Sequence, residues 1–180
     1  MVLELTARGA ATVDPTQGPF LRIFGDGRVH VRLPPYVRLH PGDHEAYLSH
    51  SDLQALLAMC ASKGLMEFDR VAVEAEHKKI VQARIAAGSG LPVVIDAGYT
   101  ILTIRLTQYA PPGKKVATEN FEKTIDWEAL PQFVSWYPQL TALVQFQEFV
   151  DVLTSIRTDT IAAAKRGETS IWLSIPGDEH

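Results

Sequence analysis

Side chains with the means to do chemistry are few in this chain and widely spaced. His40, Asp43, His44 and Glu45 form the densest run of potential metal ligands, since imidazole and carboxylate are what zinc and related ions take. His40 and His44 flank Pro41 and Gly42 and do not share a helix face as metalloprotease histidines do, so only loop geometry would bring them to one ion. The plainer reading of residues 40–43 is a solvated polar turn, because Pro, Gly and Asp collect in turns for conformational reasons. Cys60 would need a neighbouring base or a helix N-terminus to act as a nucleophile. Instead it falls on a helical stripe with Leu53, Leu56 and Leu57, which marks it as a core residue. Gly88-Ser89-Gly90 lacks the glycine spacing of a nucleophile elbow and reads as a linker turn. Gly113-Lys114-Lys115 has Gln108 and Lys115 where a phosphate-binding loop needs Gly and Ser or Thr, and strand-like segments flank it. These patterns predict no catalytic residue, no bound metal and no cofactor.

A different chemistry is written in residues 20–33, where two alternating runs meet at Gly25-Asp26-Gly27. A three-residue loop there, with a type I turn and a glycine at positive φ, sets Phe24 against Arg28, Ile23 against Val29, Arg22 against His30 and Leu21 against Val31. One face of this hairpin then collects Leu21, Ile23, Val29 and Val31 for a core. The other collects Phe20, Arg22, Phe24, Arg28, His30 and Arg32, and a slip of one residue would send the apolar set to water. Arginine and aromatic side chains together suit recognition, because guanidinium groups stack on rings and make paired hydrogen bonds to carboxylates. This outer face is the candidate binding surface, and an acidic protein surface is its expected partner. The alternative is that a helix or the C-terminal segment covers the face, with Glu67, Glu74 or Glu148 neutralising the arginines.

The elements that must hold this hairpin follow from periodicity. Residues 2–7 alternate weakly as a first strand, residues 9–18 form a loop, and Pro34-Pro35 ends the second hairpin strand. Residues 36–39 make a short extended piece, the turn at residues 40–43 follows, and residues 45–48 make another strand. Ser51 or Asp52 caps a helix that closes at Lys63-Gly64. Residues 71–87 carry an apolar stripe of Val73, Ile80, Val81 and Ile85, with Glu74 and Lys78 four apart, and read as a second helix. Residues 100–109 alternate strictly, and after Pro111-Pro112-Gly113 residues 114–121 can return as the arm of a second hairpin. From Asp126 a segment rich in aromatics begins; Trp127, Phe133, Trp136 and Tyr137 are expected to plug the open end of the core. Pro131 and Pro138 limit any helix there to short turns. Leu143, Phe146, Phe149, Val150, Leu153 and Ile156 then recur at helical spacing in a helix that runs to Lys165-Arg166, with Gly167 as its stop. Residues 169–175 read as an edge strand or a docking segment.

With 180 residues, of which 46% are hydrophobic, the chain is long enough for one domain with a substantial core. The division expected is a single α+β domain over residues 1–158 and a C-terminal helix extension and tail over residues 159–180. A net charge of −4 supplies no concentration of Lys and Arg for phosphate binding, so nucleic acid is not an expected partner. A single cysteine excludes an internal disulfide framework. No window reaches the roughly 18–20 apolar residues of a membrane-spanning helix. The start of the sequence lacks a basic segment followed by an apolar run. That fits a cytoplasmic protein if the chain is full length, and an exported one if a signal peptide has been removed.

Residues 20–69 combine the hairpin Phe24-Gly25-Asp26-Gly27-Arg28-Val29, a Pro-Gly turn, a short strand ending at Leu48-Ser49, and a helix around Leu53-Gln54-Ala55-Leu56-Leu57 that closes on Gly64-Leu65 and Phe68-Asp69. This combination resembles an uncharacterised bacterial family of small α+β domains, often exported or lipoprotein-like. The likeness covers about half of the chain, implies a fold with a later hairpin and a terminal helix, and supplies no catalytic positions. The fold class expected is therefore α+β, a mainly antiparallel sheet of five or six strands with two principal helices packed on one face. The function expected is that of a non-enzymatic binding or interaction domain acting through the outer face of the first hairpin. A metal-dependent hydrolase built on His40, Asp43, His44 and Glu45 is the alternative.

Overall fold

The computed structural model describes residues 2–8, 20–35, 41–93, 97–111, 113 and 116–173. Six strands form one antiparallel sheet: β1 (Leu3–Arg8), β2 (Phe20–Ile23), β3 (Arg28–Leu33), β4 (Gly42–Tyr47), β5 (Tyr99–Tyr109) and β6 (Thr118–Glu128), in the order β4-β3-β2-β1-β5-β6. The β2–β3 and β5–β6 hairpins therefore do not compete for the sheet. β1 lies between them and pairs with β2 on one side and β5 on the other.

The first hairpin has the expected register, with Leu21 opposite Val31, Arg22 opposite His30 and Ile23 opposite Val29. Its loop closes with the Gly27 N–H donating to the Phe24 carbonyl at 3.0 Å and the Phe24 N–H donating to the Arg28 carbonyl at 2.9 Å. Gly27 takes φ +85° and lies so near the strand end that a Cβ there would come within 2.4 Å of the Leu48 carbonyl oxygen. Only glycine meets both demands.

Four helices complete the fold: α1 (His50–Ser62), α2 (Arg70–Ala86), α3 (Leu130–Trp136) and α4 (Thr141–Arg166). The cap of α1 is Ser49, not Ser51 or Asp52, and its hydroxyl accepts a hydrogen bond from the Asp52 N–H at 3.1 Å. α4 packs across β3 and β4, and its Phe146, Phe149, Leu153 and Ile156 interlock with Leu21, Ile23, Val29 and Val31 and with Leu53, Leu56 and Cys60 of α1 in one core. Its stop is Gly167 at φ +72°, as the sequence predicts. The helices thus serve one face of the sheet. Among the described residues no helix is long and apolar enough to cross a membrane.

Two stretches depart from periodicity. Gly42 and Asp43, predicted to lie in a turn, open β4 instead, opposite Leu33 and Arg32. Asp43 is a poor strand former, and the Arg32 guanidinium across the ladder offsets that preference. β6 begins at Thr118 and runs on to Glu128, past the end expected at Phe121 and into the aromatic segment, because Ile125 and Trp127 continue an inward alternation that Lys123 interrupts in sequence. The expected pieces at residues 9–18 and 36–39, His40, Lys114 and Lys115, and residues 174–175 lie outside the described residues. Earlier in the tail, the Ile171 N–H donates to the Tyr47 carbonyl and the Tyr47 N–H to the Thr169 carbonyl, which lays the segment parallel to the β4 edge.

Candidate functional site

Strand alternation sends Arg22, Arg28, His30 and Arg32 to the face opposite the core, together with Phe20 and Phe24. The Arg22 guanidinium sits over the Phe20 ring at 4.1 Å and the Arg28 guanidinium over Phe24 at 4.0 Å. Arg32 lies 5.3 Å from the Phe20 centroid, and His30 meets the same ring edge to face at 5.2 Å. Phe20 is consequently buried although it faces away from the core, beneath a cover of cationic side chains. Such stacking fixes the guanidinium planes while leaving their edges available for carboxylates.

Among the described residues, no helix lies over this hairpin face. The carboxylates that meet the arginines come from the sheet itself and not from Glu67, Glu74 or Glu148. Glu4 on β1 accepts from Arg22 at 2.8 Å, Glu45 on β4 from Arg28 at 3.2 Å, and Asp43 on β4 from Arg32 at 2.8 Å. His30 Nε2 lies 2.9 Å from the same Asp43 oxygen. Those bonds from Arg32 and His30 hold the Asp43 carboxyl below the usual carboxylate range. Arg105 on β5 extends the pattern, reaching Glu122 at 2.8 Å and Glu4 at 3.8 Å. The three carboxylates of the covered-face alternative are engaged elsewhere: Glu67 by the Tyr109 hydroxyl, Glu74 by Arg70, and Glu148 by Lys63. Glu4, Asp43, Glu45 and Glu122 escape notice in the sequence because strand order, which makes them neighbours of the arginines, is not a local property.

The metal-ligand run is dispersed by the same alternation. Asp43 and Glu45 stand on the outer face opposite Arg32 and His30, while His44 is opposite Val31, whose side chain points to the core. His40 lies outside the described residues. Among the described residues no group of three His, Cys, Asp or Glu side chains is placed to hold a metal ion. Cys60 is fully buried, and burial pushes its thiol up to about 12, so it stays protonated near neutral pH.

A second cluster closes the far end of the core. Phe133 contacts Trp127, Trp136 and Tyr137, and His77 of α2 meets Phe133 at 5.2 Å and Tyr137 at 4.5 Å. His77 Nε2 is buried without a hydrogen-bond partner among the described residues, and burial, then Arg84, lowers its pKa. The plug of aromatics is where the sequence predicts it, but His77 was not expected there; a lone histidine on a helix gives no sign of which rings it will meet.

Compared with known proteins, the chain matches no family model and no curated protein. The geometry of its own residues therefore has to carry any functional reading.

Proposed function

We propose that this chain is a non-enzymatic binding domain that docks an acidic protein surface on the outer face of its first hairpin, through Phe20, Arg22, Phe24, Arg28, His30 and Arg32. The observation that carries this reading is the stacking of Arg22 and Arg28 on Phe20 and Phe24, on a sheet face that no helix covers among the described residues. Stacked guanidinium groups surrender little rotational freedom on binding, which favours recognition over an equally charged but mobile surface. The carboxylates already present do not block the site. Asp43 and Glu45 are half-exposed, and ion pairs of that kind contribute only about 0–1 kcal/mol, so partner carboxylates can exchange for them. Glu4 is more covered, with a side chain 17% exposed, and keeps Arg22 oriented.

The test is affinity isolation from the native cell with the wild-type chain, with the triple variant Arg22→Glu, Arg28→Glu, Arg32→Glu, and with the matching Gln triple variant. A partner recovered by the wild type, lost with both variants and weakened by salt supports the assignment. Retention of every recovered partner by both folded variants removes it.

A further inference from the structure

The two edges of the sheet differ. At the β4 edge the C-terminal segment holds both backbone groups of Tyr47, whereas no strand follows β6 among the described residues. The Ala129 N–H donates to the Gly98 carbonyl, so the odd-numbered residues of β6 turn their backbone groups to β5 and the even-numbered ones turn theirs outward. The Asp126 carbonyl, one of the outward set, accepts from Arg70 of α2 at 3.3 Å. Residues 118–124 have no such cover among the described residues, and Thr118, Glu119, Asn120, Glu122 and Thr124 are exposed. Two charges on this stretch also stand alone. Glu119 and Lys123 share a row of side chains with Phe121, and neither has an ion-pair partner among the described residues, while Glu122 on the opposite row is held by Arg105.

We infer that the β6 edge is where this chain associates with a second copy of itself, the two β6 strands pairing antiparallel about a two-fold axis that passes between their Phe121 residues. The residues of the edge select that partner. Centred on Phe121, the register sets Phe121 against Phe121, Thr118 against Thr124, Asn120 against Glu122, and Glu119 against Lys123 of the second copy, each in both directions. The two unpartnered charges thus meet each other twice. Centring on Glu122 or on Lys123 would set like charges face to face, and centring on Asn120 would put Lys123 opposite Ala117. With an odd-numbered residue at the centre, the two Phe121 side chains form a non-hydrogen-bonded pair, in which facing side chains stand closest. An unrelated apolar strand is refused, because Lys123 would meet it without a carboxylate; a charge so placed guards an edge against indiscriminate pairing. Asn120 stands at φ +51° and interrupts the pairing with β5 between Phe121 and Glu119, so its rung to Glu122 is the weak one, and Phe121 and the Glu119–Lys123 pairs carry the register. A contact confined to one short strand of each copy belongs to the small class of interfaces, so the dimer forms only at high concentration. The site lies beyond β5, away from the hairpin face, and stands or falls independently of it.

Sedimentation velocity of the full chain in low salt, from about 5 µM to about 1 mM, is the test. The wild type is expected to pass from monomer to dimer over that range, and hydrogen exchange at the Glu122 and Thr124 amides slows as the dimer forms. Glu119→Lys sets a lysine against Lys123, and Lys123→Glu sets a glutamate against Glu119, so each variant alone dimerises about tenfold or more weakly than the wild type. An equal mixture of the two variants re-forms opposite pairs on both sides of the axis and recovers the dimer, which excludes misfolding of either variant as the cause of its loss. A chain that stays monomeric throughout overturns the inference. So does a dimer that both variants form as strongly as the wild type, which would place the contact on another surface, or a mixture that associates no better than its components.

Discussion

Single residues hold the hairpin and the far end of the core in ways that substitution can read. Gly27 combines φ +85° with an approach to the Leu48 carbonyl that a Cβ would bring to 2.4 Å, against backbone that cannot step aside. Gly27→Ala is therefore expected to lower unfolding free energy by about 2–4 kcal/mol, from left-handed strain and overpacking together. Gly25→Ala is the control: its Cβ would meet only Val2 Cγ2 at 3.6 Å, and its cost should stay within about 0.5 kcal/mol. Equal denaturation midpoints for the two variants would contradict this account of the loop. His77 makes a second case, through pH. Burial, then the Arg84 charge, depresses its folded-state pKa, so the unfolded chain takes up the proton first as the solution is acidified. Its contribution to stability is thus whole above the unfolded value of about 6.5 and is lost as pH falls from there through the folded value. Thermal unfolding from pH 7.5 to pH 5 should show a decline in the wild type that His77→Phe lessens; parallel curves would mean that His77 binds its proton equally well in the folded and unfolded chain, and that its burial shifts nothing.

At the scale of elements, α2 and α4 differ in kind. α4 buries Leu143, Phe146, Phe149, Val150, Leu153 and Ile156, whereas the 17 residues of α2 bury only Val73 fully. Ile80 and Val81 pack against the core only in part, and the other attachments of α2 are polar or aromatic: Arg70 to Asp126, His77 among the rings, and Arg84 donating to the Trp136 carbonyl at 2.6 Å. Full burial of one aliphatic side chain supplies only about 1.5–3 kcal/mol and the partial burial of Ile80 and Val81 adds less than about two more, so α2 should open without the rest of the fold. Native-state hydrogen exchange should find its central amides less protected than those of α4 by about 2 kcal/mol or more, and equal protection would show that it opens only with the whole molecule. The contrast was half visible beforehand. The α4 stripe is long and unbroken, so both the helix and its buried face could be read from sequence, and the strict alternation of residues 20–33 fixed the hairpin register. The α2 stripe of Val73, Ile80, Val81 and Ile85 was equally visible as a pattern, but Ile85 is 58% exposed, since periodicity reports a face without reporting whether anything packs on it. Glu74 shows the same limit at shorter range. Its spacing fitted Lys78, but it pairs with Arg70, which also reaches Asp126 on a strand 56 residues away.

Across the whole molecule, the sheet divides its two faces between cohesion and charge. The inner face and the helices share one apolar core, while the outer face carries Glu4, Asp43, Glu45 and Glu122 between Arg22, Arg28, Arg32 and Arg105. Charges of opposite sign on neighbouring strands favour the observed strand order, yet each exposed pair contributes little on its own, because water and salt screen it. Most of the folding free energy must then come from the buried face, which leaves the outer face free to be altered for recognition. Phe146 and Glu45 put this division to the test. Phe146→Ala empties a fully buried position and should lower unfolding free energy by about 3–5 kcal/mol. Glu45→Gln removes the carboxylate beside Arg28 and should change it by less than about 1 kcal/mol, a difference that shrinks further in 1 M salt. Chemical denaturation at low and high salt measures both. A Glu45 effect that rivals the Phe146 effect and persists in salt would mean that the charge ladder holds the fold together, and a face committed to that task could not exchange its carboxylates for those of a partner.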